Sequence, residues 1–316
     1  MSAVSPRPRL TVGIPIFNEA GTIPELGRRL GQVLDGLAVP AEVILVNDGS
    51  SDGSLEELRR LADADPRFKV IDLSRNFGHQ AALYAAMTRA SGEAVVLMDG
   101  DLQDPPELIP SLLARWEEGY EVVLAVRRKR KEGWLKRTAY SVYYRLLRSV
   151  AYVPIPVDSG DFSLMDHRIV RLVCEMPERN KFLRGLRAWA GFRQTSLEYE
   201  RDARYAGETK YTLPKLFRLA LDGLLSYSFV PLRLAFVVGA IVSLGSFALA
   251  AVYFFQRIFS DNPIPRGFTT IAVLVLFLGG VQLLTIGIIG EYLGRIYDEV
   301  KRRPEFIVRE TIGLDD

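Results

Sequence analysis

The stretch Ala94-Val-Val-Leu-Met98, followed at once by Asp99-Gly-Asp-Leu-Gln-Asp104, decides the fold class of this 316-residue chain. Five apolar residues in a row predict a buried β-strand, and the acidic residues after them predict a polar loop where that strand ends. Comparable apolar runs recur along the first part of the chain, separated by segments long enough to be crossover helices. The predicted strands are Leu10–Ile16, Ala41–Asn47, Phe68–Leu73, Ala94–Met98 and Glu121–Val126. This alternation predicts an α/β domain with a doubly wound sheet.

Polar residues follow three of these strands. They are Asn18 and Glu19 after the first, residues 48–52 after the second, and residues 99–104 after the fourth. Because ligands of doubly wound sheets bind outside the carboxyl ends of the strands, these clusters should converge on one edge. Like charges gathered there repel one another unless a cation joins them. We therefore expect Mg²⁺ or Mn²⁺ bound by carboxylates together with a diphosphate, the alternative being ordinary Asx-Gly turns and helix caps.

The composition excludes several kinds of site. One cysteine, Cys174, cannot form an intramolecular disulfide, and two histidines with one thiol cannot build a zinc site of the usual Cys/His kind. We therefore expect any metal to be held by oxygen. The first ten residues lack an apolar core, so no signal peptide is expected.

Two uncharged apolar runs, Leu234–Phe255 and Gly267–Gly290, are long enough to predict two membrane spans. Lys and Arg number four between residues 210 and 233 and five between residues 295 and 309, against two in the loop 256–266. This bias predicts that both termini and the N-terminal domain are cytoplasmic, with 256–266 as a short exterior loop.

Residues 127–148 carry nine Lys or Arg and one Glu, interleaved with aromatic and leucine side chains. We interpret this pattern as a basic helix over about 132–150 that lies in the lipid headgroup plane. A solvated basic surface or a nucleic-acid patch is the alternative, and we expect no nucleic-acid partner. A second amphipathic helix is expected over 212–231, before the first span.

Five segments in order resemble a known family: Val12–Glu19, Val46–Ser54, Asn76–Gln80, Met98–Pro106 and Arg204–Tyr211. Together they resemble the inverting family 2 glycosyltransferases with a GT-A (Rossmann-like) fold. More narrowly they resemble the polyprenyl-phosphate glycosyltransferases, which include dolichol-phosphate mannose synthase and the bacterial GtrB-type enzymes. The resemblance implies a GT-A domain over 1–211, an amphipathic helix over 212–231, two spans within 232–290 and a cytoplasmic tail over 291–316.

The resemblance also implies roles for particular residues. The nucleotide pocket would be lined by Pro15, Phe17, Glu19, Asp48 and Asp99. The divalent metal would be held by Asp99, Asp101 and Gln103. Phosphate contacts and catalysis would fall to Arg127, to Arg204 and Lys210 on a closing loop, and to Asp158 as a candidate base. For His79 we expect a packing or hydrogen-bonding role.

The reaction that the resemblance implies is transfer of glucose from UDP-glucose to undecaprenyl phosphate at the cytoplasmic face of the bacterial inner membrane. Other donors, such as GDP-mannose or a UDP-linked modified sugar, stay open, as does a non-catalytic nucleotide-binding membrane scaffold. A processive polysaccharide synthase fits less well, because the chain has no Gln-x-x-Arg-Trp motif and no further spans. Small residues at Gly287, Gly290 and Gly294 would allow close helix contact, either in a homo-oligomer or within one chain.

Overall fold

The structure, a computed structural model, describes residues 8–127, 159–178, 181–200 and 267–314, together with 232, 235–242, 244–245, 248, 252 and 255. All five predicted strands are present at nearly the predicted bounds. They are β1 (Leu10–Ile16), β2 (Ala41–Asn47), β3 (Phe68–Leu73), β4 (Ala94–Leu97) and β5 (Val122–Arg127). Three further strands were not predicted: β6 (Ser159–Asp166), β7 (Gln194–Tyr199) and β8 (Val308–Ile312).

Helices connect these strands. Four lie between the first five strands: α1 (Ile23–Gly36), α2 (Ser54–Ala64), α3 (His79–Arg89) and α4 (Ile109–Glu117), the last preceded by a 3-10 turn at Pro106–Leu108. Two lie between β6 and β7, namely α5 (His167–Glu175) and α6 (Leu183–Trp189). The long helix α7 (Phe268–Lys301) precedes β8.

The strands form one mixed sheet in the order β7-β5-β6-β4-β1-β2-β3-β8. The central strands β4, β1, β2 and β3 are parallel, whereas β6 runs antiparallel to β4 and β5, and β8 antiparallel to β3. This is the α/β sheet that the apolar runs predicted, with the GT-A (Rossmann-like) fold that the resemblance implied.

Both faces of the central strands are covered by apolar layers. Val43 and Leu45 of β2 pack in the cluster that includes α1, while Ile44 and Val46 pack against α3 in another. Side chains alternate across a sheet, so a strand covered on both faces is apolar at every position. This is why the central strands appear as unbroken apolar runs and were found from the sequence.

The second predicted span falls inside α7, which continues beyond Gly290 to Lys301. In the part of the chain that the structure describes, one helix has the length and composition to cross a membrane, Phe277–Lys301. Large apolar side chains on it, including Leu283, Leu284 and Val300, are exposed. The described positions between 232 and 255 are helical. The predicted helices over 132–150 and 212–231 and the loop 256–266 lie outside the described residues.

The segment predicted as a cytoplasmic tail, 291–316, includes a strand of the sheet. Val308–Ile312 form β8, which adds an antiparallel edge strand next to β3. Residues 303–316 accordingly belong to the same compact unit as the rest of the sheet.

Candidate active site

The polar residues after β1 and β2 meet at one edge of the sheet, as predicted. The Asn18 N–H donates to Ser50 Oγ at 3.0 Å, and the Ser51 N–H donates to Asn18 Oδ1 at 2.8 Å. Glu19 lies beside them, and its N–H donates to Ser54 Oγ at 3.0 Å. Asn18 has a φ of 55°, a left-handed conformation that Asn tolerates better than most residues. The two loops are therefore held together by side chain to backbone hydrogen bonds.

Asp48 is buried at the end of β2 and holds a third loop in place. Its two carboxylate oxygens accept hydrogen bonds from the Phe77 N–H at 2.7 Å and the Gly78 N–H at 3.0 Å. Burial raises the pKa of Asp48 above its ordinary value, although these two hydrogen bonds oppose the shift. Asp48 thus links the second strand to the loop that precedes α3.

Gly49 is required by this arrangement for two reasons. Its φ is +65°, and a Cβ there would lie 2.4 Å from the backbone of Arg75 and Asn76. A contact that short involves backbone atoms that cannot rotate away. The loop after β2 and the loop 74–78 are therefore in direct backbone contact.

The other residues predicted for the nucleotide pocket lie on or after β1. Pro15 is buried within the strand, and its carbonyl oxygen faces Gly100, where an added Cβ would approach it to 3.1 Å. Phe17 is 47% exposed directly after the strand. Glu19 accepts a hydrogen bond from the Thr22 hydroxyl at 2.9 Å. An exposed aromatic ring at the strand end that also carries the half-buried Glu19 is a feature of a ligand site more than of a core.

The loop after β4 brings Asp99 to the same edge. Its Oδ1 is buried and has no hydrogen-bond partner among the described residues, and His79 Nε2 lies 3.4 Å away. Burial raises the pKa of Asp99 to about 6; the His79 charge opposes this shift, while Asp104, Asp161 and Asp101 add to it. Asp99 is therefore a buried carboxyl group whose ionised form a bound cation would stabilise.

Asp101 and Gln103 follow in a tight turn. The Gln103 N–H donates to Asp101 Oδ1 at 3.1 Å, and Leu102 between them has a φ of 58° with its side chain buried. A non-glycine residue in this conformation costs free energy, of order 1–3 kcal/mol, and such residues cluster at functional sites. The buried Leu102 side chain anchors the turn that presents Asp101.

His79 was expected to pack or to hydrogen-bond, and it joins the acidic site directly. His79, Asp99 and Asp161 offer three ligand atoms that lie within 4.8 Å of one another and could hold a metal ion. The expectation that only oxygen could hold a metal here did not anticipate this imidazole nitrogen. Burial opposes protonation of His79, but hydrogen bonding to Asp161 and the charges of Asp99 and Asp161 outweigh it and raise its pKa.

Asp161 was missed from the sequence. Arg184 of α6 donates to both of its carboxylate oxygens, at 2.8 Å each, and His79 Nε2 lies 3.3 Å from Oδ2. Burial opposes ionisation, but Arg184 and His79 together hold the pKa of Asp161 well below its usual range. Asp161 lies on β6, a strand that the sequence did not predict. For that reason Asp161 was not recognised as a site residue, although Asp158, three residues earlier in the chain, was predicted to be one.

Arg127 ends β5 and is held in position by two partners. Its Nε donates to the Tyr199 hydroxyl at 3.2 Å, and its Nη2 lies 3.7 Å from Asp104 Oδ1. Tyr199 in turn donates to Asp104. Burial opposes the charge of Arg127, but Tyr199, Asp104 and Asp99 together raise its pKa. Arg127 is thus a fixed cation within the field of the acidic loop.

Three predicted site residues, Asp158, Arg204 and Lys210, lie outside the described residues. The described predicted residues lie on β1, β2, β4 or β5 or in the loops that follow these strands. They are Pro15, Phe17, Glu19, Asp48, Asp99, Asp101, Gln103 and Arg127.

Comparison with known proteins identifies the family of this chain. Residues 11–173 match the family described as Glycosyl transferase family 2, and residues 230–296 match the GtrB C-terminal hairpin. The chain therefore belongs to glycosyl transferase family 2 and is a glycosyltransferase.

Relatives match over nearly the whole length. The chain is 45% identical to the uncharacterized glycosyltransferase YkcC of Bacillus subtilis (strain 168) over 307 residues, covering 97% of this chain and 95% of the relative. It is 38% identical to the SfII prophage-derived bactoprenol glucosyl transferase of Shigella flexneri over 304 residues, covering 96% and 98%. It is 37% identical to the prophage bactoprenol glucosyl transferase homolog of Escherichia coli (strain K12), covering 96% and 99%.

Proposed function

We propose that this protein is a membrane-bound inverting hexosyltransferase that moves glucose from UDP-glucose to a polyprenyl phosphate, undecaprenyl phosphate, at the cytoplasmic membrane face. The observation that carries the proposal is the 38% identity to a bactoprenol glucosyl transferase, which extends over 96% of this chain. The similarity spans both the catalytic domain and the hairpin, so it covers the parts needed for a soluble donor and for a lipid acceptor.

The nucleotide would bind at the edge formed by β1, β2 and the loop 74–78. Phe17 offers an exposed ring, and Glu19 and Asp48 offer carboxylate oxygens beside it. Because Asp48 already accepts two backbone hydrogen bonds, it would contact the base or ribose with its remaining lone pairs. Its main contribution would be to keep the pocket wall in place.

The donor diphosphate would lie over the loop after β4. Asp99, Asp101 and Gln103 would hold Mg²⁺ or Mn²⁺, with His79 and Asp161 adjacent, and the buried oxygen of Asp99 fits such a cation. A cation bound there would neutralise charge on the nucleoside diphosphate as it leaves the sugar. Arg127 would contact a phosphate, and Arg204 and Lys210 would close over the site.

The acceptor needs little chemical activation. A phosphate monoester has a second pKa near 6 and is mostly dianionic at neutral pH, so its oxygen is already a nucleophile. The main requirement on the protein is to bring two negatively charged phosphates together. We therefore propose a positioning role for Asp158 in place of an obligatory general base.

Two membrane spans, Leu234–Phe255 and Gly267–Gly290, would place the acceptor headgroup at the cytoplasmic face. The match of residues 230–296 to the GtrB C-terminal hairpin supports this part of the proposal. The basic segment 132–150 would meet the anionic headgroup region. Both termini would be cytoplasmic, and a homo-oligomer through Gly287, Gly290 and Gly294 is compatible with this arrangement.

The test is transfer of label from a panel of UDP- and GDP-sugars to undecaprenyl phosphate by the full-length protein in detergent, with Mg²⁺, with Mn²⁺ and with EDTA. We expect a lipid-linked monosaccharide from UDP-glucose only when a divalent cation is present. Asp101→Asn should abolish transfer, whereas Asp63→Asn, at an exposed position on α2, should not. Transfer from GDP-mannose instead would change the donor, and a folded protein that transfers from no donor would favour the scaffold.

A further inference from the structure

The C-terminal segment makes two hydrogen bonds with the backbone of Ser74, at the start of the loop 74–78 that contacts Asp48 and Gly49. β8 pairs with β3, and Ser74 is the first residue beyond β3. The Ser74 N–H donates to the Ile307 carbonyl at 2.9 Å, and the Ser74 carbonyl accepts from Arg309 Nη2 at 2.6 Å. Both backbone polar groups of Ser74 are therefore bonded to the last residues of the chain.

The position of this loop decides where two site residues lie. Its Phe77 and Gly78 amides hold the Asp48 carboxylate, and its Arg75–Asn76 backbone forms the surface against which Gly49 packs. A displacement at Ser74 would move these contacts, because only two residues separate it from Phe77.

A second route joins the same arginine to the loop after β2. Arg309 Nη1 lies 3.4 Å from Asp72 Oδ2, and Asp72 is buried. Asn47 Nδ2 donates to Asp72 Oδ1 at 2.7 Å, and Asn47 Oδ1 accepts from the Ser50 N–H at 3.2 Å. A buried carboxylate without a cationic partner costs free energy, so loss of Arg309 would destabilise the Asp72 carboxylate in its position. Asp72 in turn orients the Asn47 side chain.

Apolar packing adds a third connection. Phe306 and Phe77 pack on the same buried cluster beneath α3, and the Phe306 ring meets Tyr84 edge-on at 5.8 Å. Glu305 lies 3.6 Å from the buried Lys181 ammonium group, which also donates to the Met176 carbonyl. The segment from Glu305 to Arg309 is thus anchored along its length.

We propose that Arg309 is a positioning residue for nucleotide binding, acting through Ser74 and Asp72 on the loops that carry Asp48, Gly49 and Ser50. This inference rests on the proposed function, since it assigns those loops to the donor nucleotide. The strand that follows the long apolar helix α7 would then form part of the donor site. The sequence around Arg309 does not indicate this positioning role, because β3 and β8 are more than 200 residues apart in the chain.

Glu310 provides a matched control. It is the next residue on β8, and its carboxylate pairs with Arg59 of α2 at 2.5 Å. The Arg309 and Glu310 side chains are 58% and 42% exposed, but their partners differ, because Asp72 is buried whereas the Arg59 side chain is 47% exposed. We therefore expect Arg309→Ala to lower the thermal midpoint more than Glu310→Ala does. Arg309→Ala and Glu310→Ala each remove one ion pair from the same strand, and of these two side chains it is Arg309 that contacts Ser74 in the loop 74–78. Arg309→Lys keeps a cation beside Asp72 and so controls for the cost of leaving that carboxylate unpaired.

The experiment is titration calorimetry with UDP and Mg²⁺ on the full-length protein in detergent. We expect Arg309→Ala to raise the Kd for UDP roughly fivefold to tenfold, with Glu310→Ala within about twofold of wild type. Arg309→Lys should give an intermediate value, because one ammonium group cannot hold both Asp72 and the Ser74 carbonyl as a guanidinium does. In the transfer assay, KM for the donor should rise while kcat at saturating donor stays near wild type.

Hydrogen exchange of the segment 74–78 supplies a readout that does not depend on the ligand. Faster exchange there in Arg309→Ala, and not in Glu310→Ala, is expected. Unchanged UDP affinity in Arg309→Ala, or equal weakening in both variants, would overturn the positioning role. If the wild type binds no UDP, the proposed donor fails, while the exchange comparison still decides whether Arg309 positions the loop.

Discussion

Asp99 is a buried carboxyl group whose ionisation is unfavourable in this site. Burial raises its pKa to about 6, and three neighbouring aspartates add to the shift. One pKa unit corresponds to about 1.4 kcal/mol, so ionised Asp99 destabilises the metal-free fold by an amount on the order of 2–3 kcal/mol at neutral pH. A site of this kind trades stability for the ability to bind a cation.

Asp99→Asn should therefore have opposite effects on stability and activity. We expect the thermal midpoint in EDTA at pH 7.5 to rise by a few degrees, because a neutral amide replaces a buried charge. Metal-dependent sugar transfer should fall by at least about a hundredfold, since the amide cannot replace the carboxylate on the cation. Asp63→Asn is the control, with neither effect expected. A lower midpoint in Asp99→Asn would show that the carboxylate stabilises the metal-free fold.

The same pKa sets a pH dependence. A carboxyl whose pKa is higher when folded binds its proton more tightly in the folded state, so its unfavourable contribution is present above pH 6 and disappears as the pH falls toward 4. Protons also compete with the metal. Mn²⁺ affinity should accordingly fall by up to about tenfold per pH unit below pH 6, measured by calorimetry between pH 5 and pH 7.5. An affinity that is constant over this range would remove Asp99 from the metal site.

At the scale of elements, the loop after β2 and the loop 74–78 depend on a close backbone approach. A methyl group at Gly49 would lie 2.4 Å from backbone atoms, and Gly49 has a positive φ. Gly49→Ala should therefore weaken UDP binding by at least about tenfold and lower the thermal midpoint. Gly53→Ala is the matched control, because its added Cβ would meet only Ala20 at an ordinary 3.9 Å. Equal UDP affinity in the two variants would separate these loops from nucleotide binding.

The membrane prediction concerns the two apolar segments Leu234–Phe255 and Gly267–Gly290. The chain has one native cysteine, Cys174, and burial raises its thiol pKa to about 11, so it should react slowly with maleimides. A Cys174→Ser background therefore allows single cysteines to report topology. In right-side-out vesicles, Ser260→Cys in the predicted exterior loop should react with an impermeant maleimide, whereas Thr311→Cys should react only after lysis. Reaction at both positions before lysis would exclude the two-span topology.

At the scale of the whole molecule, chain order and spatial order differ at an edge of the sheet and within it. β8 follows the long helix α7 in sequence yet lies beside β3, and β6 inserts antiparallel between β4 and β5. The first arrangement brings the C-terminal segment to the proposed nucleotide loops. The second brings Asp161 beside His79 and Asp99. Both additions supply groups to the site that the five sequential strands alone would lack.

Much of the fold could be predicted from the sequence because it depends on the pattern of apolar and polar residues within short segments. The central strands are buried on both faces, so they had to be unbroken apolar runs, and their polar ends had to share an edge because parallel strands end together. That reasoning located Asp48, Asp99 and Asp101. β8 escaped it because its sequence, Val-Arg-Glu-Thr-Ile, belongs to a half-exposed edge strand in which arginine and glutamate face partners distant in the chain.

Burial over consecutive residues was enough to predict the α/β sheet and the two apolar runs, and the acidic residues at the strand ends predicted its polar edge. The GT-A fold was implied by the resemblance to the family 2 glycosyltransferases. Only the tertiary structure decided that His79 and Asp161 join Asp99, that Arg184 occupies both oxygens of Asp161, and that Arg309 reaches Ser74 and Asp72. These contacts join residues far apart in the chain. Their distances depend on how strands order themselves across a sheet, which no local periodicity specifies.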